Sequence, residues 1–108
     1  MREALVLMHG VAAAVLTESD GRREYRLTYR DGYEGPPVSL VLPVRVERYV
    51  FDGFPPFCDG LLPEGLQLEA LLRTVKIDRD DHFAQLLAVG LDLVGAVTVE
   101  PIGDGGGA

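Results

Sequence analysis

The first third of the chain alternates apolar runs with turn residues, which is the pattern of antiparallel strands. Residues 4–8 and 11–16 are two short apolar runs, and His9 and Gly10 separate them as a turn. Residues 19–21 (SDG) are a strong hairpin signal, because glycine readily adopts the positive φ that tight turns require. We therefore predict two strands joined by a short turn and a second hairpin after them.

The next segment has an apolar position at every second residue. Residues 25–29 alternate aromatic or aliphatic with polar side chains, so one face of this strand is predicted to be buried. Residues 38–42 are another apolar run, which we predict to be a strand ended by Pro43, since proline cannot donate a ladder hydrogen bond. Residues 45–51 suggest a further short strand.

Residues 54–60 contain two adjacent prolines, which remove backbone donors and restrict the residues before them. We predict an ordered loop here, pinned by its phenylalanines, and neither a regular helix nor a central strand. A helix follows, in which Pro63 fits near the start. Its one-sided apolar stripe, at i, i+3, i+4 and i+7, consists of Leu68, Leu71, Leu72 and Val75.

A second helix is predicted to begin at Asp78, which would cap its N-terminus. Asp80 and Asp81 would then lie in the first turn, where the helix dipole favours negative charge. The apolar stripe of this helix consists of Phe83, Leu86, Leu87 and Gly90.

A last strand is predicted over residues 95–99 and is closed by Pro101. Residues 1–102 are predicted to form one domain, and the glycine-rich residues 103–108 a flexible tail. Strands followed by paired helices and a final strand indicate an α+β fold. We expect a small antiparallel sheet of about five to six strands with two amphipathic helices packed on one face.

Composition and charge exclude several classes of function, although they say less about the fold. The 108 residues are 47% hydrophobic and 25% charged, which is enough apolar material to bury a core. The net charge is -7, and Lys76 is the single lysine, so direct nucleic-acid binding is disfavoured and a basic protein partner fits better. No segment reads as a signal peptide or a membrane span, so we expect a cytoplasmic protein.

Candidate catalytic and metal-binding residues are few. His9 and His82 lack matched ligand spacing, and the lone Cys58 is expected to be a small buried hydrophobe. The aspartates at 78–81 fit a helix cap better than a calcium loop, because Phe83 and Val89 occupy the positions that would need glycine and glutamate. We predict no catalytic residue, no metal, no cofactor and no enzymatic activity.

Four segments, in the same order along the chain, resemble the N-terminal subdomain of the bacterial HipA family. The strongest is residues 57–65, which is similar to that family's aromatic-Asp-x-Leu-Leu-Pro-acidic signature. The four segments are residues 38–43 (VSLVLP), 57–65 (FCDGLLPEG), 81–90 (DHFAQLL followed by VG at 89–90) and 95–101 (GAVTVEP).

The resemblance implies a function through the arrangement of the family. In a full HipA toxin a much longer kinase-like region follows this subdomain, whereas here the sequence stops soon after Pro101. In tripartite toxin–antitoxin systems the short toxin lacks the subdomain, and a separate HipS-like protein serves as antitoxin. The resemblance implies binding to a short HipA-like Ser/Thr kinase, with a helix-turn-helix DNA-binding protein as the third component. A structural subunit of a split toxin, or a fragment of a longer HipA kinase, would use the same fold.

The predicted partner surface is the loop and the first turns of the first predicted helix. At about 100° per residue, Leu66 lies nearly opposite the apolar stripe, so it is either an anchor for a partner or a staple against Phe54 or Phe57. Glu64 either caps the helix or pairs with a basic residue of the kinase. Phe57 is either core or interface, whereas Leu61 and Leu62 are expected in the core. The predicted partner-binding residues are Phe57, Asp59, Glu64, Gly65, Leu66 and Ala70.

Overall fold

The structure is a computed structural model that describes residues 2–19, 21, 23–90 and 96–102. It contains five strands and three helices in the described residues. In chain order they are β1 (Arg2–Met8), β2 (Val11–Glu18), β3 (Glu24–Tyr29), β4 (Tyr49–Asp52), α1 (Pro56–Asp59), α2 (Gly65–Val75), α3 (His82–Val89) and β5 (Val97–Pro101). Gly95 and the predicted tail at 103–108 lie outside the described residues.

All five strands form one antiparallel sheet in the order β4-β3-β2-β1-β5. The first four strands are neighbours in sequence and in space, whereas β5 comes from the far end of the chain and pairs with β1. A register shift between Val6 and Leu7 marks a bulge in the first hairpin. The predicted α+β fold with an antiparallel sheet is confirmed.

The core lies between one face of the sheet and α3. Phe83 and Leu86 of α3 are fully buried, and α3 packs on β5. Gly90 permits this close approach, because a Cβ built there would lie 1.9 Å from the carbonyl oxygen of Val99. The buried apolar residues of the sheet are Ala4, Val6, Met8, Ala13, Ala14, Leu16, Tyr25, Leu27, Tyr29 and Val99.

The predicted strand at residues 38–42 is wrong, because this segment is a loop. Val38 and Leu42 are its two buried anchors, and the Tyr29 hydroxyl joins them. That hydroxyl donates to the carbonyl of Leu42 and accepts the N–H of Val38. Leu40 and Val41 lie between the anchors and are exposed. An apolar run can therefore come from two anchors separated by a turn.

The predictions for residues 45–60 are corrected in two places. Only residues 49–52 are in a strand, so the predicted strand at 45–51 begins too early. Residues 54–60 contain the one-turn helix α1, which was not expected. Pro55 and Pro56 stand at its N-cap and first position, where the missing N–H costs no hydrogen bond. Phe54 and Phe57 do pack on the core, as the loop prediction required.

The predicted start of the last helix is also wrong. Asp81, not Asp78, occupies the N-cap of α3, and its carboxylate accepts the backbone N–H of Ala84 at 3.1 Å. Asp80 and Asp81 consequently lie before the first turn and not in it. The apolar stripe of α3 is confirmed, since Phe83, Leu86 and Gly90 are buried.

Candidate partner-binding surface

The α1–α2 loop and the first turns of α2 form the surface that the sequence singled out. Pro63 precedes Glu64, which stands at the N-cap of α2 in an extended conformation, and Gly65 follows with φ +59°. Glycine adopts this left-handed conformation without the steric cost that a Cβ would add. The chain therefore turns sharply into α2, and Leu66 is displayed on its first turn.

Leu66 is 88% exposed, which is unusual for a leucine in a folded domain. The predicted alternative, a staple against Phe54 or Phe57, does not occur, because so exposed a side chain makes little contact with the core. Ala70 is also exposed and lies one turn further on, on the same face of α2. Leu66 and Ala70 thus form a small apolar strip facing solvent.

The remaining predicted site residues divide into two groups. Asp59, Glu64 and Gly65 are exposed, and the Glu64 side chain makes no capping hydrogen bond. Phe57 is half-buried against the core, as are Leu61 and Leu62. Phe57 therefore packs against the core beneath the loop, while Asp59 and Glu64 present exposed carboxylates.

A cavity of about 270 Å³ opens next to this surface, between the start of α2 and the start of α3. Arg79 at its rim pairs with Glu69 of α2 at 2.8 Å. The Gln85 amide donates to the carbonyls of Asp78 and Arg79, which holds the connecting segment in place. The cavity is lined by Asp59, Leu62, Pro63, Glu64, Leu68, Arg79, Asp80, His82 and Gln85.

A partly buried polar network fixes α3 against the sheet behind this cavity. The Arg2 guanidinium donates to Glu18 at 2.6 Å and to Asp81 at 2.9 Å, and it also lies over the Phe83 ring. The Tyr25 hydroxyl donates to Glu18 at 2.6 Å. These hydrogen bonds raise the pKa of Arg2, chiefly through Glu18. Burial first, and then the bond to Glu18, raises the pKa of Tyr25.

The other candidate chemical groups are dispersed. Cys58 is buried, as predicted, and burial raises the pKa of its thiol well above the usual range. His9 is exposed in the β1–β2 turn, whereas the His82 ring lies 5.5 Å from the Phe54 ring. Within the described part of the chain, no three His, Cys, Asp or Glu side chains are placed to hold a metal ion.

Sequence reasoning missed a second exposed region, made of the 38–48 loop and β4. Leu40 is 97% exposed, and Val41, Val46 and Val50 are also exposed. The sequence shows that these residues are apolar, but their exposure depends on the Tyr29 hydrogen bonds to the loop and on the position of β4 in the sheet. None of the helices described is long and apolar enough to cross a membrane.

Fold and surface together define a small α+β domain in which one helix covers the sheet and another carries exposed apolar residues. A family model described as HipA N-terminal domain matches residues 4–100. The chain therefore belongs to the HipA N-terminal domain family.

Two individual proteins extend this comparison. The chain is 29% identical over 100 residues to an uncharacterized protein of Haemophilus influenzae, covering 93% of this chain and 92% of that protein. It is also similar to the solved N-terminal domain of HipA toxin, with a TM-score of 0.77 and 26% identity. That match covers 97% of this chain and 96% of the solved one.

Proposed function

We propose that this chain is an antitoxin that binds a separate HipA-like Ser/Thr kinase and inhibits it. The family supports this proposal, because its name-giving toxin contains a domain of the same fold. The Haemophilus influenzae relative adds support, since the match covers 92% of that protein and leaves little length for a kinase. A domain of this family thus occurs in a chain too short to contain a kinase, which is what an inhibitor acting in trans requires.

The observation that carries the proposal is the exposure of Leu66 at the start of α2. An isolated large apolar side chain on a fixed turn can insert into a partner pocket, where a few such residues supply most of the binding energy. Pro63 and the left-handed Gly65 hold the turn in the absence of a partner, so little ordering entropy is lost on binding.

Charge supports a basic partner at the same surface. Residues 1–51 contain seven acidic and seven basic residues, whereas residues 52–108 contain ten acidic and three basic ones. The whole net charge of -7 therefore belongs to the half of the sequence that contains α1, α2 and α3. Asp59 and Glu64 are exposed carboxylates that line the same cavity, and they would pair with lysine or arginine around a phosphate-binding site of a kinase.

In this mechanism the chain performs no catalysis. Leu66, supported by Ala70, Asp59 and Glu64, occupies or distorts the active site of the kinase, while Phe57 supports the loop from the core side. A helix-turn-helix DNA-binding protein would join the complex through the kinase, without direct contact between this chain and DNA.

A second candidate is a structural subunit of a split toxin. The structural match favours it, because the solved relative is a domain of HipA toxin itself. In that arrangement the chain completes the kinase or its contact with the DNA-binding protein. Its loss would weaken the toxin, whereas loss of an antitoxin would release it.

Growth of cells that express a short HipA-like kinase, with and without this chain, tests the proposal. We expect the wild type to restore growth and Leu66→Asp to lose the rescue. Leu40→Asp is the matched control, because it makes the same substitution at a similarly exposed leucine and should still rescue.

The free energy of unfolding of each variant should be within about 0.5 kcal/mol of the wild-type value, because neither side chain is buried. A wild-type chain that left toxicity unchanged or raised it would refute the antitoxin and favour the split-toxin subunit. Equal rescue by Leu66→Asp and wild type would move the binding surface elsewhere.

A further inference from the structure

β4 is an edge strand with an open outer side. Within the described part of the chain it pairs with β3 alone. The N–H of Gly53 donates to the carbonyl of Arg23 at 2.8 Å, which fixes the alternation of the ladder. Tyr49, Phe51 and Gly53 direct their backbone groups toward β3, so those of Val50 and Asp52 point away from the sheet.

The side chains around β4 are complementary to those of the same segment running in the opposite direction. Residues 48–52 are Arg-Tyr-Val-Phe-Asp, with a cation at one end, an anion at the other and two aromatics about a central valine. Tyr49 and Phe51 are half-buried on the core side, whereas Val50 is 58% exposed and Asp52 is also exposed. When two copies of this segment lie antiparallel, Arg48 is opposite Asp52, Tyr49 is opposite Phe51, and Val50 is opposite Val50.

We propose that two copies of this chain associate by antiparallel pairing of β4 with β4 about a two-fold axis at Val50. The Val50 N–H and C=O of each copy would bond those of the other, which joins the two sheets into one. On the outer face Arg48 of each copy would lie opposite Asp52 of the second copy. On the core side Tyr49 would lie opposite Phe51 of the second copy.

Charge favours a second copy as the occupant of this edge. Asp52 lies directly opposite Glu24 in β3, and like charges in that position repel. Arg26 neutralises Glu24 at 2.7 Å, but no cation in the described residues is within ion-pair distance of Asp52. The Arg48 side chain likewise has no carboxylate partner there. The two-fold pairing supplies both groups with their missing partner.

The opposite edge of the sheet lacks this self-complementarity. β5 ends in Pro101, which has no N–H to donate, and pairing β5 with itself about Val99 would set Thr98 against Glu100. No ion pair would form. Proline and an unmatched charge are ways in which proteins keep an edge strand unpaired.

The segment before β4 is already held in place. The Arg45 guanidinium lies 3.8 Å from the centre of the Tyr49 ring and donates to the carbonyls of Glu47 and Arg48. The start of β4 therefore needs little ordering on association. Because β4 has only four residues, the contact is small, and we expect a dissociation constant of about 10–100 μM.

Sedimentation equilibrium of the full chain, over roughly 1–500 μM, tests the proposal without any kinase and so independently of the proposed function. We expect the 11.7 kDa chain to approach twice that mass as its concentration rises. Arg48→Glu and Asp52→Arg should each weaken association at least about tenfold, because each sets like charges opposite one another. The double variant should recover most of the affinity.

Two further variants separate loss of association from loss of folding. Val50→Pro removes an outward N–H that β3 does not use, so it should abolish association while circular dichroism stays unchanged. Leu66→Asp, on the other surface, should associate like the wild type. A chain that is monomeric throughout, or single variants that the double variant does not rescue, would overturn the proposal. The proposal would also be overturned if the wild-type chain never self-associated and Arg48→Glu lowered its affinity for the kinase.

Discussion

The two longer helices, α2 and α3, share an amphipathic sequence pattern but differ in how they meet the sheet. Phe83 and Leu86 of α3 are fully buried, and the Arg2 network fixes its start. No residue of α2 is buried, and its stripe is half-buried at best, with Val75 exposed. A stripe of period 3.6 predicts a helix, therefore, but not the depth of its packing.

Local features account for the difference. Gly90 lets the end of α3 approach the backbone of Val99, and Asp81 ties its start to Arg2 in the first strand. In α2 the corresponding end residue, Lys76, has φ +56° and turns the chain away. Stability is thus concentrated in α3 and the sheet, and the less tightly packed α2 is left to carry the proposed binding surface.

The sharpest test of this contrast is a matched pair of leucine truncations. Leu86→Ala should lower the free energy of unfolding by about 3 kcal/mol, because it opens a cavity in a fully buried site. Leu72→Ala, in the half-buried stripe of α2, should cost about 1 kcal/mol or less. Urea unfolding measures both, and equal losses would show that α2 is as firmly packed as α3.

A pair of glycine substitutions probes the close approach of α3 to β5. Alanine normally favours a helix over glycine by about 1 kcal/mol, but Gly90→Ala should destabilise by about 2 kcal/mol. The added Cβ would lie 1.9 Å from the Val99 carbonyl oxygen. Gly60→Ala is the control, since its nearest new contact is at 3.8 Å and its φ is -66°. Thermal unfolding measures the effect, and a higher melting temperature for Gly90→Ala would contradict the close approach of α3 to β5.

An effect smaller than those of Leu86→Ala and Gly90→Ala is expected in the polar network at the start of α3. Tyr25→Phe removes a donor to buried Glu18 and should cost about 1.5 kcal/mol at neutral pH. Because the pKa of Tyr25 is raised by folding, its neutral form stabilises the protein fully below the unfolded pKa of about 10. This contribution is lost as the pH rises through the folded pKa.

The pH dependence of unfolding by urea between about pH 8 and 11 checks this linkage. Wild-type stability should fall above about pH 10, and Tyr25→Phe should fall less steeply. Some slope will remain in the variant, because burial raises the pKa of Tyr29 as well. Identical slopes for the two proteins would mean that Tyr25 is not the group responsible.

The sequence predicted those parts of the fold that local patterns determine. The hairpins of β1, β2 and β3, the stripe of α3 and the burial of Cys58 all follow from alternation, periodicity or residue type. The errors lie where distant residues decide. The 38–42 loop is held by Tyr29, and the cap of α3 moves from Asp78 to Asp81, which Arg2 contacts from 79 positions away.

The candidate site was predictable to a similar extent. Helical geometry placed Leu66 opposite the stripe, and its exposure agrees with that position. Only the structure shows that Phe57 packs against the core and that the Glu64 side chain does not cap α2. The open edge of β4 could not be predicted, because it follows from the strand order, in which β5 takes the place beside β1.

The pairing of β1 with β5 has a consequence for the time course of folding. Ala4 lies opposite Pro101, so this ladder cannot form on the ribosome until almost the whole domain has been synthesised. Until then β1 of a nascent chain exposes an unpaired edge, although the β1–β2–β3 meander can already form from local contacts. Closing a loop of this length is also entropically the most costly step. The late arrival of β5 therefore makes β1 the segment most exposed to misassembly during translation.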